Sequence, residues 1–371
     1  LVNNRLEEMM KVKAAVTYEF GKPLVIEEVD MAEPQKGEVV VKLAATAVCH
    51  SDVHDIRGEL PGPLPFIGGH ESAGYVDRVG PGVNDFKVGD PVVMTTLASC
   101  GKCYYCISGM PHLCMARFAP SANVRLRTKD GKPIDQKGKV SGFAEYALVS
   151  ESQLMKVPEG MPLESACLIS CGVITGFGAV VNRAKVEALK SVVVMGLGGV
   201  GINAVQGAAV SGAYPIIGVD VLEEKMDTAM KFGATHKVNA KREDAAKAIF
   251  ELTDGRGADY VFITVGNVNA IKQGIDMAGA RGNTVMIGLP PIQDVLSFAP
   301  MGLIATEKQL TGVYMGSTNL KKDIPKLVDL YRAGKLKLDE LITERYPIEK
   351  INEAIESTAN GKALRNVIVF K

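Results

Sequence analysis

Four cysteines crowd into a short stretch as Cys100-x2-Cys103-x2-Cys106-x7-Cys114. Four thiolates at this spacing can close a tetrahedral shell around Zn²⁺ with no open position, the mark of a metal that holds structure. The rival reading is an iron–sulfur cluster, whose common run ends C-x3-C-P instead of C-x7-C. The plainest reading is four free surface thiols. Seven cysteines in 371 residues is not a disulfide framework, and clustering in a reducing compartment points to metal before disulfides.

A second set is dispersed. Cys49 opens Cys49-His50-Ser51-Asp52, His70 sits in Gly68-Gly69-His70-Glu71, and Cys171 lies in Ser170-Cys171-Gly172. Taken singly, each is more often a buried thiol or a satisfied histidine. Their surroundings favour ligands. One follows a strand, one rides a glycine turn beside an acid, and one lies at the expected domain boundary, where a cofactor enzyme places its chemistry.

The third candidate is Gly196-Leu197-Gly198-Gly199-Val200-Gly201. Alone, G-x-G-x-x-G is weak, but here it follows an apolar strand and opens a helix. Gly196 permits the tight turn, Gly198 admits a pyrophosphate to the backbone, and Gly201 allows close helix–strand packing at a phosphate-binding helix N-terminus. Asp220 ends the next apolar run, 19 residues after Gly201. A carboxylate there accepts hydrogen bonds from ribose hydroxyls and repels a 2′-phosphate, which favours NAD over NADP. The alternative is a glycine turn of some other α/β fold, with Asp220 a simple strand end.

The elements around these residues change texture near residue 172. Before it, GEVVVKLAATAVC (37–49) reads as a strand, and Gly and Pro then punctuate short apolar runs, as in an irregular β domain. After it, SVVVM (191–195), PIIGVD (215–220), ADYVFIT (258–264) and NTVMIG (283–288) alternate with helical stretches, as in a doubly wound parallel sheet. KDIPKLVDLYRAGK (322–335) reads as a helix, and RNVIVFK (365–371) as a final strand that returns to the first domain. The expected organisation is two domains, 1–171 with 317–371 and 172–316. The basic run RLRTKDGKPIDQKG (125–138), inside a long polar stretch from Met115 to Gly142, reads as a solvated loop.

Composition narrows the function. Lys+Arg and Asp+Glu both number 42, so the chain lacks the basic excess of a protein built on polyanion contacts, and nucleic acid is not expected as a partner. No run approaches the ~18 apolar residues of a membrane helix. The opening LVNNRLEEMMKVK lacks the apolar core of a signal peptide, so the expected location is the cytoplasm.

In their order along the chain, CHSD, GGHES, the four-cysteine run, ISCGVITGFG, GLGGVG, GVD and a late Arg before the last strand resemble the zinc-dependent alcohol dehydrogenases of the medium-chain dehydrogenase/reductase superfamily. The resemblance covers nearly the whole chain. It implies a GroES-like irregular β catalytic domain and a Rossmann coenzyme domain. It implies NAD and two zinc ions per chain: a catalytic one on Cys49, His70 and Cys171, with one position open to alcohol or water, and a structural one on Cys100, Cys103, Cys106 and Cys114. It makes Glu71 the acid beside the zinc and Asp52 the carboxylate that orients the ligating histidine. Ser51 takes the alcohol proton and His54 passes it towards solvent. Thr175 and Val200 flank the nicotinamide, Lys225 lies near the adenosine ribose, and His50 and Arg365 face the pyrophosphate. Ile287, Val313 and Met315 meet the carboxamide through their backbone, and Val265 and Leu289 complete the cofactor-binding positions. Cys167 has no ligand role and reads as core.

The resemblance further implies hydride transfer between a small primary or secondary alcohol and NAD, giving an aldehyde or ketone, and a homodimer, with a tetramer as the alternative. Thr96 stands where ethanol-specific members carry a bulky aromatic, which implies a wider substrate pocket. Two other functions stay open. The chain shares His50 with glutathione-dependent formaldehyde dehydrogenases, although those commonly lack a histidine at the position of His54. A non-catalytic, NAD-sensing or structural protein on the same fold is the reading from another class.

Overall fold

The structure is a computed structural model that describes residues 9–60, 62–119 and 123–371. Residues 1–8, which open the segment read above for a signal peptide, lie outside the described residues. The chain forms two compact units. The first comprises Leu1–Cys171, Asn319–Val328 and Leu338–Lys371, and the second Gly172–Thr318 and Asp329–Lys337.

The first unit is organised on the strand Glu38–Val48. Val39, Val40, Val41, Leu43, Ala45, Ala47 and Val48 are all buried, so the strand is covered on both faces and reads as a nearly unbroken apolar run. It pairs antiparallel with Glu71–Val79, with Tyr146–Ser150 and with Arg365–Val369. The register matters most at one end. Ala47 faces Glu71 and Val48 faces Asn366, so Cys49, His70 with Glu71, and Arg365 arrive together as the three strands start or stop. The last strand thus returns to the first unit, as its sequence suggests.

A closed barrel joins Met10–Thr17, Val25–Met31, Leu126–Arg127, Pro133–Gln136 and Phe66–Ile67. Two of its strands come from the stretch expected to be a solvated loop, and that expectation is corrected. Leu126 and Ile134 point into the barrel core with Val16, Phe66 and Ile67. Two basic residues of the run are anchored, whereas Lys129 and Lys132 at its tip are exposed. Arg125 is buried and pairs with Glu38 at 2.6 Å, and Lys137 pairs with Asp55 at 3.0 Å.

The second unit is a six-stranded sheet in the order His236–Asn239, Ile216–Asp220, Val192–Met195, Ala258–Ile263, Ala278–Met286 and Gln309–Gly312, every neighbour parallel. The order reverses between Val192–Met195 and Ala258–Ile263, the switch point at which doubly wound sheets bind dinucleotides. The strand expected over 283–288 starts earlier, at Ala278, because the preceding helix Val268–Met277 stops short of the AGA stretch. Among the described residues, no single helix is long and apolar enough to cross a membrane.

The glycines of the nucleotide turn meet distinct constraints. Gly196 has φ 89°, and a Cβ there would lie 2.5 Å from Val265 Cγ1. At Gly201 a Cβ would lie 1.8 Å from the Gly196 carbonyl oxygen, so the first helical turn can close onto the strand only without a side chain. At Gly198 a Cβ would meet no protein atom within 4 Å, which leaves the backbone open to a ligand. Overpacking of this kind costs about 1–3 kcal/mol or more. Gly201→Ala should therefore lower the unfolding temperature, as read by calorimetry.

Candidate metal and nucleotide sites

Cys49 follows the central strand directly and caps the helix His50–Ile56. Asp52, in the first turn of that helix and 2% exposed, organises what surrounds it. Its Oδ2 accepts the Cys49 N–H at 2.9 Å, and its Oδ1 accepts the Gly69 N–H at 3.1 Å and His70 Nδ1–H at 2.9 Å. A carboxylate can only accept here, so the bond fixes the proton on Nδ1 and leaves Nε2 to act as a ligand. Ser51 Oγ lies 3.3 Å from that Nε2.

The ligand atoms of Cys49, His70, Glu71 and Cys171 lie within 4.8 Å of one another, and all four residues are buried. The Cys171 thiol donates to Cys49 and holds it well below the usual thiol range. Burial opposes this, and His70 and Arg365 reinforce it. The same bond pushes Cys171 up. Burial works against a charged His70, but Asp52 and Cys49 outweigh it and lift the ring well above its ordinary value. Burial raises Glu71 to about 8 against the pull of Arg365. Arg365 Nε donates to Glu71 Oε2 at 3.1 Å, while Glu71 Oε1 has no hydrogen-bond partner. Two thiols, an imidazole whose Nε2 meets Ser51 Oγ, and an unpaired carboxylate oxygen, held together out of water, fit a divalent cation that would displace the protons.

Cys100, Cys103, Cys106 and Cys114 also lie within 4.8 Å of one another. The Cys103 sulfur is 3.6 Å from that of Cys106 and 4.0 Å from that of Cys114. A tetrahedron with Zn–S bonds of about 2.3 Å has edges of about 3.8 Å, so this set fits zinc as it stands. Backbone N–H groups at Met115 and Cys106 pull Cys103 down to about 6, and burial pushes Cys106 up to about 12. Cys167 is buried in the core, its thiol donating to the Glu164 carbonyl at 3.0 Å.

The proton path expected through Ser51 and His54 has its ends on one helix, but with different partners. Ser51 meets His70, whereas His54 Nδ1 bonds Glu59, and the His50 and His54 rings meet edge to face at 5.1 Å. Glu59 went unseen in the sequence, since an acid just past a helix end carries no signal of its own. Arg365, expected at a pyrophosphate, is buried on Glu71 and keeps only Nη2 unpaired.

In the second unit, the Asp220 carboxylate reaches back to the glycine turn. It accepts the N–H groups of Leu197 at 2.8 Å, Val221 at 2.7 Å and Leu222 at 3.1 Å. Val200 lies in the first turn of the helix Gly199–Val210, and Lys225 in the helix that follows Asp220. Thr175 Oγ1 donates to Met315 Sδ at 3.7 Å, so these two expected cofactor positions meet. The N–H groups of Ile287 and Val313 are already taken by Ile263 and Met286. Val265 and Leu289 follow the strand Ala258–Ile263 and the strand Ala278–Met286, and both are exposed.

Comparison with known proteins agrees with this arrangement. Residues 35–159 match the alcohol dehydrogenase GroES-like domain, and residues 199–333 the zinc-binding dehydrogenase domain. The chain is 39% identical over 369 residues to the NDMA-dependent alcohol dehydrogenase of Amycolatopsis methanolica, covering 97% of this chain and 99% of that protein. It is 37% identical to alcohol dehydrogenase B of Mycobacterium tuberculosis, with the same coverage. The benzyl alcohol dehydrogenase of Acinetobacter calcoaceticus superposes with a TM-score of 0.92 at 35% identity, covering 98% of this chain and all of that one.

Asp52→Asn keeps the shape but weakens the acceptor at His70 Nδ1. Loss of such a partner typically lowers metal affinity about 10–100-fold. Competition with a chromophoric chelator should show one zinc per chain released at lower chelator concentration, and the second zinc unchanged.

Proposed function

The chain belongs to the zinc-type alcohol dehydrogenases of the medium-chain dehydrogenase/reductase superfamily, and from that premise we propose that it transfers hydride between a primary alcohol and NAD, giving the aldehyde. The observation that carries the reading is the buried set of Cys49, His70 and Cys171, with Ser51 Oγ 3.3 Å from the ligating nitrogen.

Cys49 Sγ, His70 Nε2 and Cys171 Sγ would hold zinc. A zinc ion so bound supplies Lewis acidity, which lowers the pKa of an alcohol at its open position. Ser51 Oγ would accept the alcohol proton while giving its own to an intervening water or cofactor hydroxyl, and His54 would take up the proton at the far end on Nε2, because Glu59 occupies Nδ1. Arg365 keeps Glu71 paired, which limits the negative charge beside the two thiolates. The glycine turn and Asp220 would seat the dinucleotide, which would supply the hydride acceptor. Cys100, Cys103, Cys106 and Cys114 would hold a second zinc, which would contribute stability.

Small side chains favour an alcohol larger than ethanol. Thr96 is flanked by Gly138, where even a Cβ would stand 3.1 Å from Thr96 Cγ2 and 3.6 Å from His70 Cβ. The likeness to a benzyl alcohol dehydrogenase points to the same class. The likeness to an NDMA-dependent enzyme favours a second reading, in which turnover needs that acceptor and no NADH is released. A cytoplasmic homodimer remains part of the proposal.

An assay at 340 nm with benzyl and short-chain alcohols tests the reading, and NDMA addition separates the two versions. NADH formation that chelation abolishes is the expected result. Activity that survives complete zinc removal contradicts it. Ser51→Ala should lower kcat by about 10²–10⁴-fold with zinc content unchanged, as for loss of a positioned proton acceptor. Asp220→Ser should bring the KM values for NAD and NADP closer together. Because Asp220 also braces the turn at Leu197, affinity for NAD itself should fall as well.

A further inference from the structure

The polar stretch that the barrel absorbs ends against the metal site. Pro133–Gln136 runs parallel to Phe66–Ile67, with the Asp135 N–H donating to the Pro65 carbonyl at 2.9 Å. The chain then turns through Gly138, at φ 64°, and Lys139, at φ 59°. The turn brings Gly138 close enough that an added Cβ would touch both Thr96 and His70. It leaves along Gly142 and Phe143, whose N–H groups donate to the carbonyls of Gly69 and Gly68 at 2.9 Å each. The backbone of 137–143 therefore leans on the glycine turn that carries His70.

A buried ion pair anchors this segment to the other half of the site. Lys137 Nζ lies 3.0 Å from Asp55 Oδ1, with side chains 18% and 11% exposed. The ammonium also sits 5.6 Å from the centroid of the buried Phe66 ring. Asp55 belongs to the helix His50–Ile56, one turn past Ser51. The pair thus bridges the helix that carries Ser51 and His54 to the turn that covers His70. A largely buried pair is a weak source of net stability, since desolvation offsets the attraction, but losing Lys137 takes the cation from the buried Asp55 carboxylate. Its expected contribution is position.

We propose that the Asp55–Lys137 ion pair is a clasp that seats residues 137–139 against His70 and Thr96, which makes both residues positioning residues that set how tightly the alcohol is held. The inference rests on the reading of the His70 site as the alcohol site, and its backbone arm does not depend on activity.

Lys137→Met, Asp55→Asn and the double variant test it. Each single variant should raise the alcohol KM about tenfold with kcat nearly unchanged, the signature of lost binding that ground and transition states share. Each should also speed hydrogen exchange at the Asp135, Gly142 and Phe143 amides above that of the second unit. The double variant should recover much of both effects, because no charge is left stranded. Should Lys137→Met fail to fold, Asp55→Asn, which keeps shape and hydrogen-bonding groups, carries the test. Unchanged exchange at 135–143 in the single variants overturns the clasp. So does exchange that rises equally throughout the first unit, or a double variant no better than the singles. A wild type inert with every alcohol, but with the expected exchange pattern, overturns the proposed reaction and leaves the clasp standing.

Discussion

One buried carboxylate sets the geometry on which the rest depends. Asp52 accepts three bonds, from the backbone of Cys49, the backbone of Gly69 and the ring of His70. Through them it ties the end of the central strand, the start of a helix and a glycine turn, and it decides which imidazole nitrogen faces the metal position. Its charge lies in the first turn of the helix His50–Ile56, where a helix N-terminus favours an anion. Besides it, the contact of Ser51 Oγ with His70 Nε2 at 3.3 Å also joins the two segments that carry these ligands.

The charges around this carboxylate are balanced in layers. The Cys171 thiol lies against Cys49 and lowers its pKa, and Arg365 faces Glu71 behind them. Such a set is poor as a resting structure, because burial disfavours every charge in it. A divalent cation on these ligands would offset that cost. The four-cysteine lobe follows the same logic nearer the surface, where backbone N–H groups already hold Cys103 as a thiolate.

Much of this was legible in the sequence because it is local. The four-cysteine spacing, the glycine fingerprint with its strand and helix, and the acid ending the next strand each lie within a few turns of chain, and steric limits at Gly196 and Gly201 leave little freedom of residue type. The dispersed ligands could be read only through resemblance, since a register such as Ala47 opposite Glu71 is a tertiary fact. The two short strands inside 125–138, a stretch whose tip 129–133 is exposed, escape notice for a related reason. Strands as short as Leu126–Arg127 carry no measurable periodicity, and the charges of Arg125 and Lys137 look solvent-facing until Glu38 and Asp55 are placed beside them. The carboxylate of Asp220 was anticipated, but not its second task of bracing the glycine turn.

The central claim is that one chain builds two metal sites of different chemistry, a closed thiolate shell and a mixed thiolate–imidazole site with an open position. X-ray absorption at the zinc K edge of the purified protein, with zinc counted on the same sample, tests this most directly. The account predicts two zinc ions per chain and a mean shell of about three sulfurs at about 2.3 Å, completed by lighter donors near 2.0–2.1 Å that include imidazole scattering. A single zinc per chain with four sulfur ligands and no imidazole would contradict it.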